Sequence, residues 1–181
     1  MTPEPRGVLL LCAPFSEGGS HSRALLLAAA ERYLGRPPGP LVPGAWGKPE
    51  FPAAPELCCS VSHSGSWWMC ALGPAPLGLD LQRHQAGIDR ARLSRRFFHP
   101  EEDRFLAARG YRDFFDLWSA KESWVKFTGR GFRDDPASFS VAAGGNFPAV
   151  EGARLRLLPF SPDYSLCLCA ARPGPVRMAM L

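Results

Sequence analysis

Two spacings of apolar residues recur along the chain and predict its strands and helices. Apolar residues that run continuously or alternate with polar ones predict strands. The strand-like runs lie at 7–15, 57–73, 77–82, 138–143, 153–160 and 164–173. Apolar residues three or four positions apart predict helices. The helical segments lie at 22–34, 90–98, 99–108 and 113–127.

The order of these elements predicts the α+β class and a division into two halves. The second strand-like run reads as two strands joined at a polar tip, residues 62–66. The last three strand-like runs predict an antiparallel sheet. Pro and Gly interrupt the pattern at 73–78. We therefore expect a first half at 1–76 and a second half at 77–181.

Composition excludes several classes of protein. The chain has 181 residues, 46% of them hydrophobic, and contains 12 Phe, 5 Trp and 3 Tyr. This supply of core-forming side chains excludes a disordered or collagen-like chain. No apolar run approaches the roughly 18 residues of a membrane span, and the apolar run near the N-terminus reads as a buried strand. We expect a cytoplasmic protein without a membrane partner.

The six cysteines are expected to fill the core as reduced thiols. They form no C-x-x-C pair and have no His at zinc-finger spacing. Cys167 and Cys169 alternate with leucines in a run typical of a strand buried on both faces. A structural zinc site and a disulfide framework are therefore not expected.

The distribution of basic residues singles out three positions. Of the 21 basic residues, 18 are Arg and only Lys48, Lys121 and Lys126 are Lys. Lys carries a compact point charge where Arg carries a planar fork, so a Lys kept in an Arg-rich chain suggests a specific requirement. The alternative is that these three positions are unselected.

Asp80, Gln82 and Glu122 are candidate ligands for a divalent cation. Strand side chains alternate, so Asp80 and Gln82 share one face, against which a helix can place Glu122. Mg²⁺ prefers oxygen ligands, usually one or two carboxylates with phosphate and water. The alternative is a surface strand with solvated polar side chains.

Glu122 is also a candidate base. It lies one helical turn from Lys126, which alone would predict an exposed ion pair worth a few tenths of a kcal/mol. The flanking Trp118, Trp124 and Val125 favour partial burial, where the pKa of a carboxylate can be tuned for proton transfer.

His63 lies in the Ser-rich segment SVSHSGSWW. A hydrolase would require a nucleophilic Ser, but G-x-S-x-G is absent and a neighbouring His does not define a triad. Contact with a phosphate fits better, because Ser, His and backbone N–H groups are all donors. P-loop and Rossmann motifs are absent.

The ordered segments resemble the motif series of the 4′-phosphopantetheinyl transferases, of the monomeric, secondary-metabolism type that activates surfactin synthetase. The segments are WGKPEF, SVSHSGSWWMCAL, LGLDLQRH, FFHPEEDRFL and WSAKESWVKFTGRGF. The helix motif W-x-x-K-E-[SA]-x-x-K is the most specific of them. All three lysines fall on motif positions. This match favours a functional role for Lys48 and Lys126, and also for Lys121.

The resemblance implies two similar α/β halves related by a pseudo-two-fold axis, with coenzyme A in the cleft between them. It implies transfer of 4′-phosphopantetheine from coenzyme A to a serine of an apo carrier protein, with Mg²⁺ as cofactor and 3′,5′-ADP released. The alternative is a degenerate member that binds coenzyme A without transfer.

The resemblance also assigns roles. Asp80 and Glu122 match the magnesium-binding acids, and Glu122 matches the proposed general base. Lys126 matches the lysine that contacts the pyrophosphate and assists the leaving group. The positions that match coenzyme A contacts are Lys48, His63 with Ser62 beside it, and, in a looser alignment, Arg23. Gln82 replaces a second acid of many members, and we expect its amide to hold Mg²⁺ directly or through water.

The charge balance suggests a docking surface. The net charge is +4 and the isoelectric point is near 8.9. Arg83, Arg90, Arg92, Arg95 and Arg96 cluster after the Asp80 strand. We expect Arg92, Arg95 and Arg96 to dock an acidic carrier protein, the alternative being an ordinary solvated helix. A nucleic-acid-binding module would suit the charge, but the basic residues are dispersed and no recognition motif occurs.

Overall fold

The computed structural model describes residues 7–16, 21–129, 135–171 and 174–181. The strands are β1 (Val8–Pro14), β2 (Val42–Pro43), β3 (Pro49–Glu50), β4 (Cys58–Ser64), β5 (Trp67–Gly73), β6 (Leu77–Arg83), β7 (Arg154–Leu157), β8 (Tyr164–Ala170) and β9 (Val176–Met180). The helices are α1 (Ser22–Leu34), α2 (Arg90–Phe97), α3 (Pro100–Ala107) and α4 (Phe114–Thr128). The predicted α+β class is confirmed.

Two main sheets form the framework. The first has the order β4-β5-β1-β9, in which β1 pairs antiparallel with β5 and parallel with β9. The second has the order β6-β8-β7 and is antiparallel. The two-residue strands β2 and β3 pair with each other. The division into halves at 76/77 stays a prediction, and so does the pseudo-two-fold relation between the halves. Strand β9, which belongs to the predicted second half, joins the sheet of β1.

Serine side chains join the two sheets where β4 lies beside β6. Alternate residues of β4 point toward β6 because strand side chains alternate. The three hydrogen bonds are Leu79 N–H to Ser60 Oγ at 2.9 Å, Leu81 N–H to Ser62 Oγ at 3.0 Å and Arg83 N–H to Ser64 Oγ at 2.9 Å. These hydroxyls satisfy N–H groups that the edge strand β6 would otherwise leave unpaired.

The core has three parts. One lies between the first sheet and α1, a second between the facing sides of the two sheets, and a third between α4 and the second sheet. Leu79 and Leu81 of β6 belong to the second part, so the Asp80 side of the strand faces α4.

Helix α4 lies directly on β6. A Cβ atom at Gly78 would overlap the backbone of Ser123 and Phe127, so only glycine permits this approach. The helix ends at Gly129, whose φ of 67° is the left-handed conformation that favours glycine. The close contact brings the middle of α4 next to Asp80.

The structure differs from the sequence-based prediction in several elements. The strand predicted at 138–143 is wrong: a 3₁₀ turn spans Pro136–Ser138, and the Val141 N–H binds the Glu102 carboxylate instead of a strand. The polar tip predicted at 62–66 is shorter, because β4 continues through Ser64. Strands β2, β3 and β9 have no counterpart in the predicted elements.

Five of the six cysteines are buried free thiols and Cys58 is half-buried, which confirms that they fill the core. Within the described ranges, none of the helices combines the length and the apolar character that crossing a membrane requires.

Candidate active site

Asp80 is the buried carboxylate around which the site is arranged. Its residue exposure is 5%, and its backbone carbonyl accepts a hydrogen bond from Ser119 Oγ at 3.0 Å. Oδ1 accepts from Lys126 Nζ at 2.8 Å and from Ser62 Oγ at 3.0 Å. Oδ2 is buried and has no hydrogen-bond partner among the described residues. Oδ1 is therefore fixed by two hydrogen bonds, whereas Oδ2 accepts none from the described residues.

Glu122 lies on α4 one turn before Lys126 and is half-buried. The pKa of this carboxyl is raised to about 7, chiefly by burial and also by the negative charge of Asp80, while the positive charge of Lys126 opposes the shift. A carboxyl with a pKa near neutrality can accept a proton under physiological conditions. The partial burial predicted from the flanking residues is what the structure shows.

Both Glu122 and Lys126 line a cavity of about 300 Å³. Its wall also includes Lys48, Ser60 and Gly129. Asp80 lies behind this wall, in contact with Lys126. The cavity thus presents a carboxylate, two ammonium groups and a backbone turn to a ligand.

Lys48 connects the two sides of the cavity. Its Nζ donates to the backbone carbonyls of Leu77 and Lys126, both at 2.9 Å. Burial lowers the pKa of this ammonium. Since an ammonium has three N–H groups, one remains for an anion in the cavity.

Trp46 lines the same cavity and was not singled out in the sequence. The residue is 58% exposed, and its φ of 61° is unusual for a residue other than glycine. Its position two residues before Lys48, in an otherwise irregular segment, is the one signal that could have identified it.

Of the predicted metal and coenzyme A residues, five lie outside the lining of this cavity. Asp80 and Ser62 contact Lys126 behind the wall, and the other three are His63, Arg23 and Gln82. His63 is exposed on the face of β4 opposite Ser62, with its ring 5.0 Å from that of Phe15. Arg23 is exposed and donates to the carbonyl of Leu41 at 2.8 Å. The Gln82 amide Nε2 donates to the Arg83 carbonyl at 3.2 Å. Their predicted roles stay predictions.

Lys121 forms a separate buried cluster. Its Nζ lies 2.7 Å from Glu102 Oε2 and also donates to the Phe139 carbonyl. Glu102 in turn accepts the N–H groups of Val141 and His99. Lys121 therefore ties α4 to α3 and to the segment around Phe139, and it does not line the cavity.

Comparison with known proteins identifies the family. The profile of the 4′-phosphopantetheinyl transferase superfamily matches residues 76–169. A 4′-phosphopantetheinyl transferase of Bacillus subtilis is 33% identical over 163 residues, which cover 82% of this chain and 71% of that protein. This chain belongs to the 4′-phosphopantetheinyl transferase superfamily. The predicted family is confirmed, and the relatives are named as enzymes of the predicted type.

Two further members of the superfamily are similar. The 4′-phosphopantetheinyl transferase Sfp of Bacillus subtilis (strain 168) is 30% identical over 139 residues, which cover 71% of this chain and 61% of Sfp. The transferase HetI of Nostoc sp. (strain PCC 7120) is 31% identical over 119 residues, or 60% of this chain and 50% of HetI. The match to Sfp supports the predicted Sfp-like type within the superfamily, and the chain spans about three fifths of the length of Sfp.

The carboxylates of this superfamily member fit a divalent cation. Asp80 Oδ2 is a buried oxygen without a partner among the described residues, and repulsion between Asp80 and Glu122 is one cause of the raised pKa of Glu122. A cation near both carboxylates would relieve this repulsion. In the part of the chain that the structure covers, no three His, Cys, Asp or Glu residues group as ligands. The fit is thus to a cation held by two carboxylates, with phosphate and water completing the shell.

Proposed function

We propose that this protein transfers the 4′-phosphopantetheine group of coenzyme A to a serine of an apo acyl- or peptidyl-carrier protein. One observation carries the proposal: in a chain of this superfamily, Glu122 and the Asp80–Lys126 ion pair meet at one cavity. The serine oxygen forms a bond to the β-phosphorus, the bond from that phosphorus to the bridging oxygen breaks, and 3′,5′-ADP leaves. The serine proton goes to a base.

Glu122 is the proposed base. Its carboxylate is at the cavity wall, and the raised pKa gives it affinity for a proton near neutral pH. Only the ionised form can take the serine proton, and burial, followed by the charges of Asp80 and Lys126, sets how much of that form exists. Their charges act in opposite directions on the pKa of Glu122.

Lys126 and Lys48 provide positive charge at the same wall. Lys126 is the proposed partner of the pyrophosphate, where it stabilises charge that develops on the leaving 3′,5′-ADP. Lys48 is the proposed partner of a coenzyme A phosphate. His63 and Arg23 are also proposed to contact coenzyme A, from positions outside the cavity wall.

Mg²⁺ is the proposed cofactor, with Asp80 and Glu122 as protein ligands. When bound it would neutralise charge across the pyrophosphate. Gln82 has a weaker claim as a ligand, since its amide is turned toward the Arg83 carbonyl.

Carrier proteins are the proposed partners, docked by helix α2. Arg92, Arg95 and Arg96 are all exposed, which supports an accessible basic face. Arg90 instead stacks its guanidinium over Phe115 at 5.1 Å.

We further propose that the protein acts as a monomer in the cytoplasm, without a nucleic-acid or membrane partner.

A second candidate is a member that binds coenzyme A without transferring from it. The amide at Gln82 favours this candidate, because it removes one negative charge that many members provide.

One experiment separates the two candidates. The protein is incubated with coenzyme A, Mg²⁺ and a panel of apo acyl- and peptidyl-carrier proteins, and each carrier is weighed by intact-mass spectrometry. We expect a mass gain of one phosphopantetheine. Glu122→Gln should lower the rate by at least about 100-fold, the lower range for a lost general base. The control Glu151→Gln, at an exposed carboxylate, should leave the rate unchanged. Coenzyme A binding with no mass gain on any carrier would overturn the transferase proposal.

A further inference from the structure

The Ser62 hydroxyl lies at the junction of β4, β6 and α4. The residue is only 6% exposed. Its Oγ accepts the Leu81 N–H at 3.0 Å, donates to Asp80 Oδ1 at 3.0 Å and accepts from Lys126 Nζ at 3.1 Å. Three elements of the fold therefore converge on one oxygen atom.

These three contacts use the whole hydrogen-bonding capacity of a hydroxyl. A serine Oγ has one proton to donate and two lone pairs to accept with. The proton goes to Asp80, and the lone pairs receive the Leu81 and Lys126 donors. No proton is left for a phosphate oxygen of coenzyme A unless Asp80 loses its partner.

The same contacts fix the orientation of the Asp80 carboxylate. Terminal torsions of Asp are broad, so an unrestrained carboxylate samples many orientations. Here Ser62 and Lys126 both bind Oδ1, which leaves Oδ2 as the oxygen without a partner among the described residues. A ligand that binds Asp80 without breaking these contacts must use Oδ2.

We propose that Ser62 is a positioning residue, which holds the Asp80 carboxylate and the Lys126 ammonium for cation and pyrophosphate binding, and is not itself a coenzyme A contact. The inference rests on the proposed function and replaces the role that the sequence resemblance implied for Ser62. Hydrogen-bond partners that orient a metal ligand affect metal affinity or activity by about 10- to 100-fold when removed.

Strand β4 supplies a matched control. Ser64 lies two residues further on the same face, and its Oγ accepts the Arg83 N–H at 2.9 Å, as Ser62 accepts Leu81. Ser64 neither contacts Asp80 nor lines the cavity. Ser64→Ala therefore removes the sheet-joining bond alone, whereas Ser62→Ala removes that bond and the restraint on Asp80.

The test compares Ser62→Ala, Ser64→Ala and the wild type by Mn²⁺ binding in the absence of coenzyme A, followed by electron paramagnetic resonance. We expect Ser62→Ala to weaken Mn²⁺ binding by about tenfold or more, and Ser64→Ala to leave it unchanged. Ser62→Cys, which keeps the volume with a weak donor, serves if the alanine variant does not fold and should show the same loss. Ser62→Thr keeps the hydroxyl and should recover Mn²⁺ binding.

Steady-state kinetics provide the second readout. A positioning role predicts that Ser62→Ala lowers kcat while KM for coenzyme A changes less than about twofold. A rise in KM with kcat unchanged would mean direct contact with coenzyme A and would overturn the proposal. Mn²⁺ binding equal to that of the wild type would overturn it as well.

The two readouts separate this proposal from the proposed function. A wild-type protein that modifies no carrier contradicts the transferase activity, and the Mn²⁺ comparison still decides the role of Ser62. A wild-type protein that binds no Mn²⁺ contradicts the role of Ser62 even if transfer occurs.

Discussion

Lys126 Nζ lies 2.8 Å from Asp80 Oδ1, so a lysine of α4 provides the counter-charge of the buried carboxylate on β6. The Asp80 side chain is 8% exposed and that of Lys126 is 29% exposed, so one end of the pair reaches the cavity. Without a cation, this ammonium balances the charge of Asp80. A cation that binds Asp80 therefore meets a positive charge already in place.

The ion pair of Lys126 with Asp80 predicts that Lys126→Met strengthens the binding of a divalent cation but impairs catalysis. Loss of the ammonium should lower the rate of carrier modification by about 100-fold or more, because the charge proposed to contact the leaving group is gone. It should tighten Mn²⁺ binding, on the order of tenfold, because the competing positive charge near Asp80 is gone. Electron paramagnetic resonance of Mn²⁺ at pH 8 measures the second effect.

Lys126→Arg is the control, since it keeps the charge. We expect its Mn²⁺ affinity to stay near that of the wild type. Weaker Mn²⁺ binding in Lys126→Met than in Lys126→Arg would show that Lys126 does not compete with the cation.

The raised pKa of Glu122 predicts that the metal-free protein loses stability as pH rises. Its pKa moves from an ordinary 4.5 to about 7 on folding, so between these values the folded state binds more protons than the unfolded state. Stability from this group is complete below pH 4.5 and is lost as pH rises through 7, with a total on the order of 3 kcal/mol.

Glu122→Gln removes this titration. In thermal denaturation with a chelator, the Tm of Glu122→Gln relative to the wild type should be higher at pH 8 than at pH 5. The comparison between the two proteins cancels other titrating groups. An equal Tm difference at both pH values would mean that Glu122 titrates near its ordinary pKa.

Periodicity predicted the elements that carry the site, because these elements bury one face. The alternation of Leu79 and Leu81 placed Asp80 on the opposite face of β6, where it lies. The spacing of Glu122 and Lys126 placed them one turn apart on α4. Both predictions depend only on residues close together in the sequence. Such local patterns hold in the folded protein when they agree with the burial that the whole fold imposes.

The features that sequence did not predict depend on tertiary contacts. The segment around Val141 reads as a strand, but the Glu102 carboxylate, 39 residues earlier, takes its N–H. The ion pair of Lys121 with Glu102 likewise joins two helices that no short-range pattern relates. The positive φ of Trp46 is a property of the folded turn. The residue type alone would not predict it, because residues other than glycine disfavour this conformation.

The Lys121–Glu102 pair predicts a large loss of stability on truncation. Both side chains are almost fully buried, at 4% and 0% exposed. Lys121→Met leaves a buried carboxylate without its cation, a change that costs about 3–5 kcal/mol. Urea denaturation of the variant and wild type measures the difference.

The exposed pair of Arg36 and Glu56 provides the control. Their side chains are 49% and 55% exposed, so Arg36→Met should cost only about 0–1 kcal/mol. A second comparison uses Lys121→Met with Glu102→Gln, which should recover part of the loss because no buried charge remains. Similar costs for Lys121→Met and Arg36→Met would contradict a buried ion pair.

Charge reversal on α2 should weaken the docking of an acidic carrier without affecting coenzyme A. Replacing Arg92, Arg95 and Arg96 by Glu removes an exposed basic face, and we expect KM for the carrier to rise about tenfold or more, chiefly through slower association. KM for coenzyme A should stay within about twofold. The control replaces three other exposed arginines, Arg112, Arg154 and Arg156, by Glu. Equal effects of both triple variants would mean that net charge alone, and not helix α2, attracts the carrier.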